Sequence, residues 1–302
     1  MTYFLKVKAL GRFPKVGLTE AAYGALKSAR KTLSNALSLE ETYDILVSNH
    51  LEFERELVSQ AAEDMVRSIH TYESLFAMKA VLARRIANLL TAGRIYADQA
   101  PRHYSECLNS KTAKAYVEQL FSKQYDAHFE YRFMCAYRNH VQHFTATVDA
   151  LSVGGSRDEK SMHLSYVVEP YAEKKRLQLN GDFKKKLIDE MEDRVDLRKM
   201  ARGYVSAISE VHHQLRKGSQ ALVEDSRERI SSALRQYEKE LGNRPVGLHA
   251  IHEKGGEEIE AFPLLLDWDE TRVWLVSRNR RLVGLAKHFV TSEIKVKSPM
   301  GS

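Results

Sequence analysis

Apolar residues recur three and four positions apart through most of the chain's first half, from about residue 19 to residue 143. Ala, Leu, Glu, Lys and Arg are abundant there, and this combination is typical of amphipathic helices. The clearest row repeats every four residues and predicts one long helix after Ser110. Its members are Val117, Phe121, Tyr125, Phe129, Phe133, Tyr137 and Val141. The pattern predicts a bundle of helices.

Local sequence signals predict the bounds of three helices that precede this long one. Ser38 followed by Glu41 has the form of a capping box, in which the side chains satisfy free amides at a helix start. This predicts one helix over about 20–36 and a second that ends near residue 65. A third is predicted from about 73 to 99, because Pro101 cannot continue a helix without losing a hydrogen bond.

The pattern changes after residue 145. Gly154-Gly155-Ser156 is predicted to break the chain. Apolar and polar residues then alternate over 162–168, which predicts a half-buried strand. The segment 176–179 is a candidate partner for that strand.

Charged helical sequence returns over about 182–241, where Gly203 and Gly218 predict interruptions and hence two or three pieces. Further on, two short apolar stretches flank Gly255-Gly256 and predict a β-hairpin. The stretch 269–290 is compatible with a helix, or with a strand and then a helix. The predicted fold class is mainly α, with a helical bundle over 1–145 and a smaller α or α+β region over 146–302.

Composition limits the class of protein. The chain has 302 residues, of which 43% are apolar and 28% charged, as in a soluble globular protein. It has neither an uncharged apolar run of membrane-spanning length nor an apolar signal-peptide core near residue 1, so we expect a cytoplasmic protein without a membrane partner. Cys107 and Cys135 are too few for a disulfide framework. The net charge of +6 favours a polyanionic partner.

One short stretch concentrates groups that handle phosphate and protons. The sequence CAYRNHVQHF contains Arg138, Asn139, His140, Gln142 and His143. At about 100° per residue, four of them share the helix face opposite the apolar row, and His140 lies at the row's edge. His140 is therefore a candidate either for substrate binding, together with Gln142, or for packing at a core or interface.

These side chains suit attack by an RNA 2′-hydroxyl on the adjacent phosphate. A histidine can act as general acid or base near neutral pH, and an arginine can stabilise the charge on the pentacoordinate phosphorane. The nucleophile belongs to the substrate, so the reaction needs no metal. Asn139 is placed either to orient His143, which lies one turn later, or to bind phosphate.

The arrangement Arg138-Asn139-His140-Val141-Gln142-His143 resembles the arginine, polar residue, spacer and histidine motif of HEPN (higher eukaryotes and prokaryotes nucleotide-binding) domains. The resemblance implies a helical bundle that forms a homodimer and cleaves RNA without metal or other cofactor. It implies that Arg138 contacts phosphate, His143 is the acid/base and Asn139 supports them. It also implies roles in toxin–antitoxin or antiviral defence systems, with a neutralising antitoxin protein as a partner.

Two other interpretations remain open. A non-catalytic helical module could bind RNA, nucleotide or a partner protein through the same polar face. A metal site could use His140 and His143, with Asp126, His128 and Glu130 upstream, but no Cys or carboxylate stands at a recognised metal-site spacing. We therefore predict no metal ligands. The chain has no glycine-rich phosphate loop.

Overall fold

A computed structural model of the chain describes residues 2–68, 70–143, 147–159 and 162–291. The protein is mainly helical with a small amount of antiparallel sheet. This confirms the prediction of a mainly α fold class. No helix among these residues combines the length and apolar character that crossing a bilayer requires.

The helices are α1 (Glu20–Arg67), α2 (Tyr72–Cys107), α3 (Thr112–Ala127), α4 (Phe129–His143), α5 (Lys174–Gln178), α6 (Lys185–Glu190), α7 (Leu197–Leu241) and α8 (Asp267–Arg278). The strands are β1 (Thr2–Val7), β2 (Val16–Leu18), β3 (Ala150–Arg157), β4 (Leu164–Glu173), β5 (Arg194–Asp196), β6 (Leu248–Lys254) and β7 (Glu257–Pro263).

The chain forms two compact units, and each combines segments that are far apart in sequence. Unit 1 consists of residues 1–48, 91–127 and 207–281. Unit 2 consists of residues 49–90, 128–206 and 282–302. Both units take segments from each side of residue 145, so this division differs from the linear one predicted from the sequence.

Unit 1 contains a four-stranded antiparallel sheet in the order β2-β1-β6-β7. Strand β1 pairs along its length with β6, from Thr2 opposite Glu253 to Val7 opposite Leu248. Leu5 and Val7 are buried and pack with apolar residues of α1, α7, β6 and β7 in one core. The sequence pattern did not identify β1 as a strand, because its partner lies at the other end of the chain.

Helix α1 runs without interruption through the predicted capping box at Ser38. The predicted helix start there is wrong. Glu40, inside the supposed box, is buried and accepts hydrogen bonds from Arg216 of α7. Because α1 continues through this stretch, the amides after Ser38 bond to carbonyls of the preceding turn, and none is free for Ser38 to cap.

Helix α2 continues past Pro101 to Cys107, so the predicted end of this helix is also wrong. A proline inside a helix costs about 3 kcal/mol, since it removes one hydrogen bond and crowds the preceding turn. Ala100, Tyr104 and Cys107 are all buried in the same part of the helix. Burial of these side chains offsets the local cost and keeps the helix going.

Unit 2 contains a three-stranded antiparallel sheet in the order β3-β4-β5. The predicted strand over 162–168 corresponds to β4. Two neighbouring predictions are wrong: Gly154 and Gly155 lie inside β3, and most of segment 176–179 is helix α5 and pairs with no strand. The backbone of Gly155 lies close to the carbonyl of Ser165 on β4, where a Cβ atom would come within 3.3 Å. Glycine there permits close pairing and does not end the strand.

The long helix predicted after Ser110 is two helices, α3 and α4, with His128 between them. The carbonyl of His128 accepts a hydrogen bond from the backbone N–H of Arg132, the first turn of α4. The spacing of four residues continues through the break, and the row has buried members in both helices, Val117 in α3 and Phe133 and Tyr137 in α4. Periodicity alone therefore does not show where one helix ends and the next begins.

Helix α7 is continuous for 45 residues, so Gly203 and Gly218 do not interrupt it as predicted. They are points of close approach to other helices. A Cβ atom on Gly203 would lie 2.5 Å from the Cβ of Glu130 on α4, and one on Gly218 would collide with the hydroxyl of Tyr104 on α2. Each glycine thus has a packing role in its own unit.

The predicted hairpin around Gly255-Gly256 is confirmed as β6 and β7. The two glycines have φ of 62° and 88°, the left-handed values that a tight two-residue hairpin turn needs. The stretch 269–290, for which the sequence left two alternatives, contains most of helix α8 and a short 3₁₀ turn over Leu285–Lys287.

The role of Gly203 can be tested by substitution. We expect Gly203→Ala to lower the free energy of unfolding by about 1–3 kcal/mol, because the added methyl group overpacks the contact between α4 and α7. Gly24→Ala in α1 is the matched control, since a Cβ atom there would meet nothing within 4 Å. That change should raise stability by up to about 1 kcal/mol through helix propensity. Equal effects of the two changes in urea denaturation would contradict the packing role.

Candidate functional site

The candidate residues lie on the last two turns of α4, in unit 2. The apolar side of this helix is buried, and both Phe133 and Tyr137 have no exposed surface. Asn139, Gln142 and His143 are exposed, and Arg138 is half-buried. Burial therefore separates α4 into the apolar and polar faces that the sequence pattern predicted.

Arg138 carries a positive charge that no acidic group neutralises within the described part of the chain. No carboxylate of the described residues lies within 4 Å of its guanidinium nitrogens, whereas Arg132, on the same helix, pairs with Glu190 at 2.8 Å. The Arg138 Nε atom is shielded from solvent and has no hydrogen-bond partner in those same residues. A guanidinium with unused donors is suited to bind an anion such as phosphate.

Asn139 interacts with the arginine beside it. Arg138 Nη1 donates a hydrogen bond of 3.1 Å to Asn139 Oδ1. The sequence left two roles open for Asn139, to orient His143 or to bind phosphate, and this contact is neither of them. The contact instead holds the guanidinium at the helix surface and leaves the amide NH₂ of Asn139 as a donor.

His140 is a buried histidine with 1% of its surface exposed. Its Nδ1 accepts a hydrogen bond of 2.9 Å from Nδ2 of Asn180, in the turn after α5. Its ring stacks on Tyr137 and meets Phe183 edge-on, with centroid distances of 5.8 and 6.0 Å. This placement fits the packed-histidine alternative and gives no support to the predicted substrate-binding role of His140. Gln142 is exposed and stays a candidate.

Burial also affects the charge state of His140. Desolvation lowers its pKa from the ordinary value of 6.5, and the carboxylate of Asp149 opposes this shift. The imidazole is therefore kept neutral near pH 7. Sequence reasoning did not identify Asn180 as its partner, since a lone asparagine in a turn 40 residues away gives no signal.

His143 is the last residue of α4 and is exposed to solvent. Phe144, which the sequence pattern placed beside the apolar row, lies outside the described residues. Arg138 and His143 point in directions about 140° apart around the helix axis. One copy of α4 therefore presents a cation and an acid/base group on one polar face but does not close a pocket around a phosphate.

The alternative metal site is not supported by the placement of its two histidines. His140 is enclosed by the fold, where its Nδ1 bonds to Asn180, whereas His143 is exposed to solvent. Among the residues that the structure describes, no group of three His, Cys, Asp or Glu side chains is arranged to hold a metal ion.

The chain matches no protein-family model, no curated protein and no solved structure. The resemblance to HEPN domains therefore rests on residues 138–143 and on the helix that carries them.

The buried state of His140 predicts a pH dependence of stability. Its pKa is lower in the folded chain than in the unfolded chain, so the unfolded chain binds more protons as the pH falls. The contribution of His140 to stability should be complete above about pH 7 and decline as the pH falls through 6.5. We expect the free energy of unfolding between pH 7 and 5 to fall less steeply in His140→Gln than in wild type. Urea denaturation at each pH, referenced to pH 8, measures both slopes, and identical slopes would contradict this assignment.

Proposed function

We propose that the protein is a metal-independent endoribonuclease in which Arg138, Asn139 and His143 of two copies act on RNA. The observation that carries this proposal is the guanidinium of Arg138, which has no acidic partner among the described residues and lies on the same polar face as the exposed His143. A cation without a counter-ion can stabilise phosphate charge and an accessible imidazole can transfer a proton, provided that both reach the same phosphate.

The chemistry needs only groups of the protein and of the RNA. His143 takes the proton from the ribose 2′-hydroxyl, whose oxygen forms a bond to the adjacent phosphorus. Arg138 stabilises the charge that develops on the non-bridging oxygens. The bond from phosphorus to the 5′-oxygen then breaks, and the leaving oxygen takes a proton from an imidazolium. The products are a 2′,3′-cyclic phosphate and a 5′-hydroxyl.

A second copy of the chain would complete the site. The two key side chains diverge around α4, so a phosphate bound by Arg138 needs a facing wall that brings in another histidine. Two copies related by a two-fold axis supply equivalent groups to each other. Asn139 then acts as a positioning residue, because its oxygen orients Arg138.

The proposal predicts that cleavage depends on both side chains and survives chelation. Purified wild type, His143→Ala and Arg138→Ala would be incubated with end-labelled total RNA in excess EDTA. We expect His143→Ala to lower the cleavage rate by about 10²–10⁴-fold, as expected for loss of a general acid or base. Arg138→Ala should lower it by roughly 10²–10³-fold, and Arg138→Lys by less.

The control is His128→Ala, which removes an exposed histidine directly before the same helix. It should cleave RNA like wild type, and the product ends should be 2′,3′-cyclic phosphate and 5′-hydroxyl. An unchanged rate in His143→Ala, or activity lost with EDTA and restored by a divalent metal, would contradict the mechanism. RNA binding without turnover in wild type would instead support the non-catalytic binding module.

A further inference from the structure

A groove of about 690 Å³ lies in unit 1 between α1, α2 and α8. Its volume is in the range of about 300–1,000 Å³ that is usual for small-molecule sites. The residues that line it are three and four positions apart on each helix, so each helix contributes one face. They include Glu41 and Ile45 of α1, Arg102 of α2, and Trp274 and Leu275 of α8. The groove is separate from the polar face of α4, which belongs to unit 2.

Helix α8 is attached to its neighbours at both ends, which holds its side of the groove in place. Asp269, in the first turn of α8, is fully buried and accepts hydrogen bonds from Arg227 and Arg272. At the other end, Nδ2 of the buried Asn279 donates to the carboxylate of Asp44 on α1 at 2.8 Å. A site whose walls are already ordered loses less entropy when it binds a ligand.

Two large apolar side chains in the groove are partly open to solvent. Trp274 is 52% exposed and Ile45 is 46% exposed. The guanidinium of Arg278 lies over the Trp274 ring, 4.7 Å from its centroid, and this contact fixes the orientation of the ring. A ligand with an apolar group would cover both side chains and remove their surface from water.

Two charged side chains of opposite sign line the same groove without a counter-ion. The exposed carboxylate of Glu41 forms neither an ion pair nor a hydrogen bond with any residue that the structure describes. Within that same part of the chain, no carboxylate lies within 4 Å of the guanidinium nitrogens of Arg102, so these two side chains do not pair with each other either. A ligand with one positive and one negative group can pair with both.

The guanidinium of Arg102 is oriented by the residue next to it. Its Nη2 donates a hydrogen bond of 3.2 Å to Nε2 of His103, whose Nδ1 donates to Oδ1 of Asn35 at 3.2 Å. Burial lowers the pKa of His103, and the charge of Arg102 lowers it further, so the ring is neutral and can accept this bond near pH 7. The bond uses one N–H of Arg102 and leaves the others for a carboxylate.

We propose that this groove binds a zwitterion with an apolar side chain, which is an α-amino acid or a short peptide. Glu41 pairs with the ammonium group, Arg102 pairs with the carboxylate, and the apolar side chain lies against Trp274 and Ile45. A nucleotide would use Arg102 and the indole ring but would leave Glu41 unpaired beside its phosphates. A simple amine would leave Arg102 unpaired. This inference concerns unit 1 and stands whether or not the chain cleaves RNA.

The first test compares ligands that differ by one charge. Isothermal titration calorimetry with L-phenylalanine and with the dipeptide leucyl-phenylalanine should show saturable binding of at least one, and the tighter of the two identifies the source as amino acid or peptide. Acetylating the amine or amidating the carboxylate of that ligand should weaken binding by about 10-fold or more. The proposal is overturned if neither ligand binds at millimolar concentration, or if the charged and modified forms bind equally.

The second test assigns each ligand charge to its partner in the groove. Glu41→Gln should weaken binding of the unmodified ligand by about 10-fold and have little effect on the acetylated form, which lacks the ammonium charge. Arg102→Gln should have the same relation to the amidated form, and Trp274→Ala should weaken all forms. Matched controls are Glu118→Gln and Arg30→Gln, which remove exposed charges of unit 1 outside the groove. Circular dichroism would show that each variant is folded. Equal weakening of the unmodified and acetylated forms by Glu41→Gln would refute the proposed pairing.

Discussion

The buried ion pair between Glu40 and Arg216 is the interaction on which the helices of unit 1 depend. Glu40 is 5% exposed, and Arg216 Nε donates to its Oε1 at 2.9 Å. Burial by itself would raise the pKa of Glu40, but His212 and Arg216 lower it to about 2. A charge this deep is tolerated only when its partner is present, and loss of one partner typically costs about 3–5 kcal/mol. The pair therefore ties α1 to α7 in this unit.

Aromatic side chains surround the ion pair and extend it to a third helix. The ring of Tyr43 stacks on His212 at a centroid distance of 3.8 Å, and its hydroxyl donates to Ser209 at 2.7 Å. Tyr96 of α2 shares a hydrogen bond of 2.9 Å with Nδ1 of His212. These contacts require Glu40 and Tyr43 to lie on one continuous helical turn of α1. This requirement explains why Ser38 is not a cap, although the local sequence has the form of one.

The features that could be predicted from the sequence are those that adjacent residues determine. The faces of α4 follow from helical periodicity, and the hairpin of β6 and β7 follows from Gly255-Gly256. The errors occur where distant residues decide the structure. Gly203 lies in an unbroken helix because Glu130 packs against it, and β1 is a strand because β6 pairs with it. Neither partner can be identified from local sequence, since propensity is readily overridden by tertiary contacts.

The candidate site shows the same division between local and distant effects. Helical geometry predicted that Arg138 and His143 lie away from the apolar row of α4, and in the structure Arg138 is half-buried and His143 is exposed. His140 is separated from them by burial, where it contacts Asn180 and Phe183, and no local pattern indicates either contact. Burial of that ring removes one of the two histidines from solvent, so the chemistry proposed for this face falls to His143 alone. Under the proposed mechanism, a second imidazole would come from another copy of the chain.

A symmetric dimer would supply that second imidazole. An isologous interface presents the same groups twice, once from each copy. RNA cleavage by transesterification needs one group to remove a proton and another to deliver one. Two copies of one exposed histidine meet this need, whereas a single chain with a buried His140 does not.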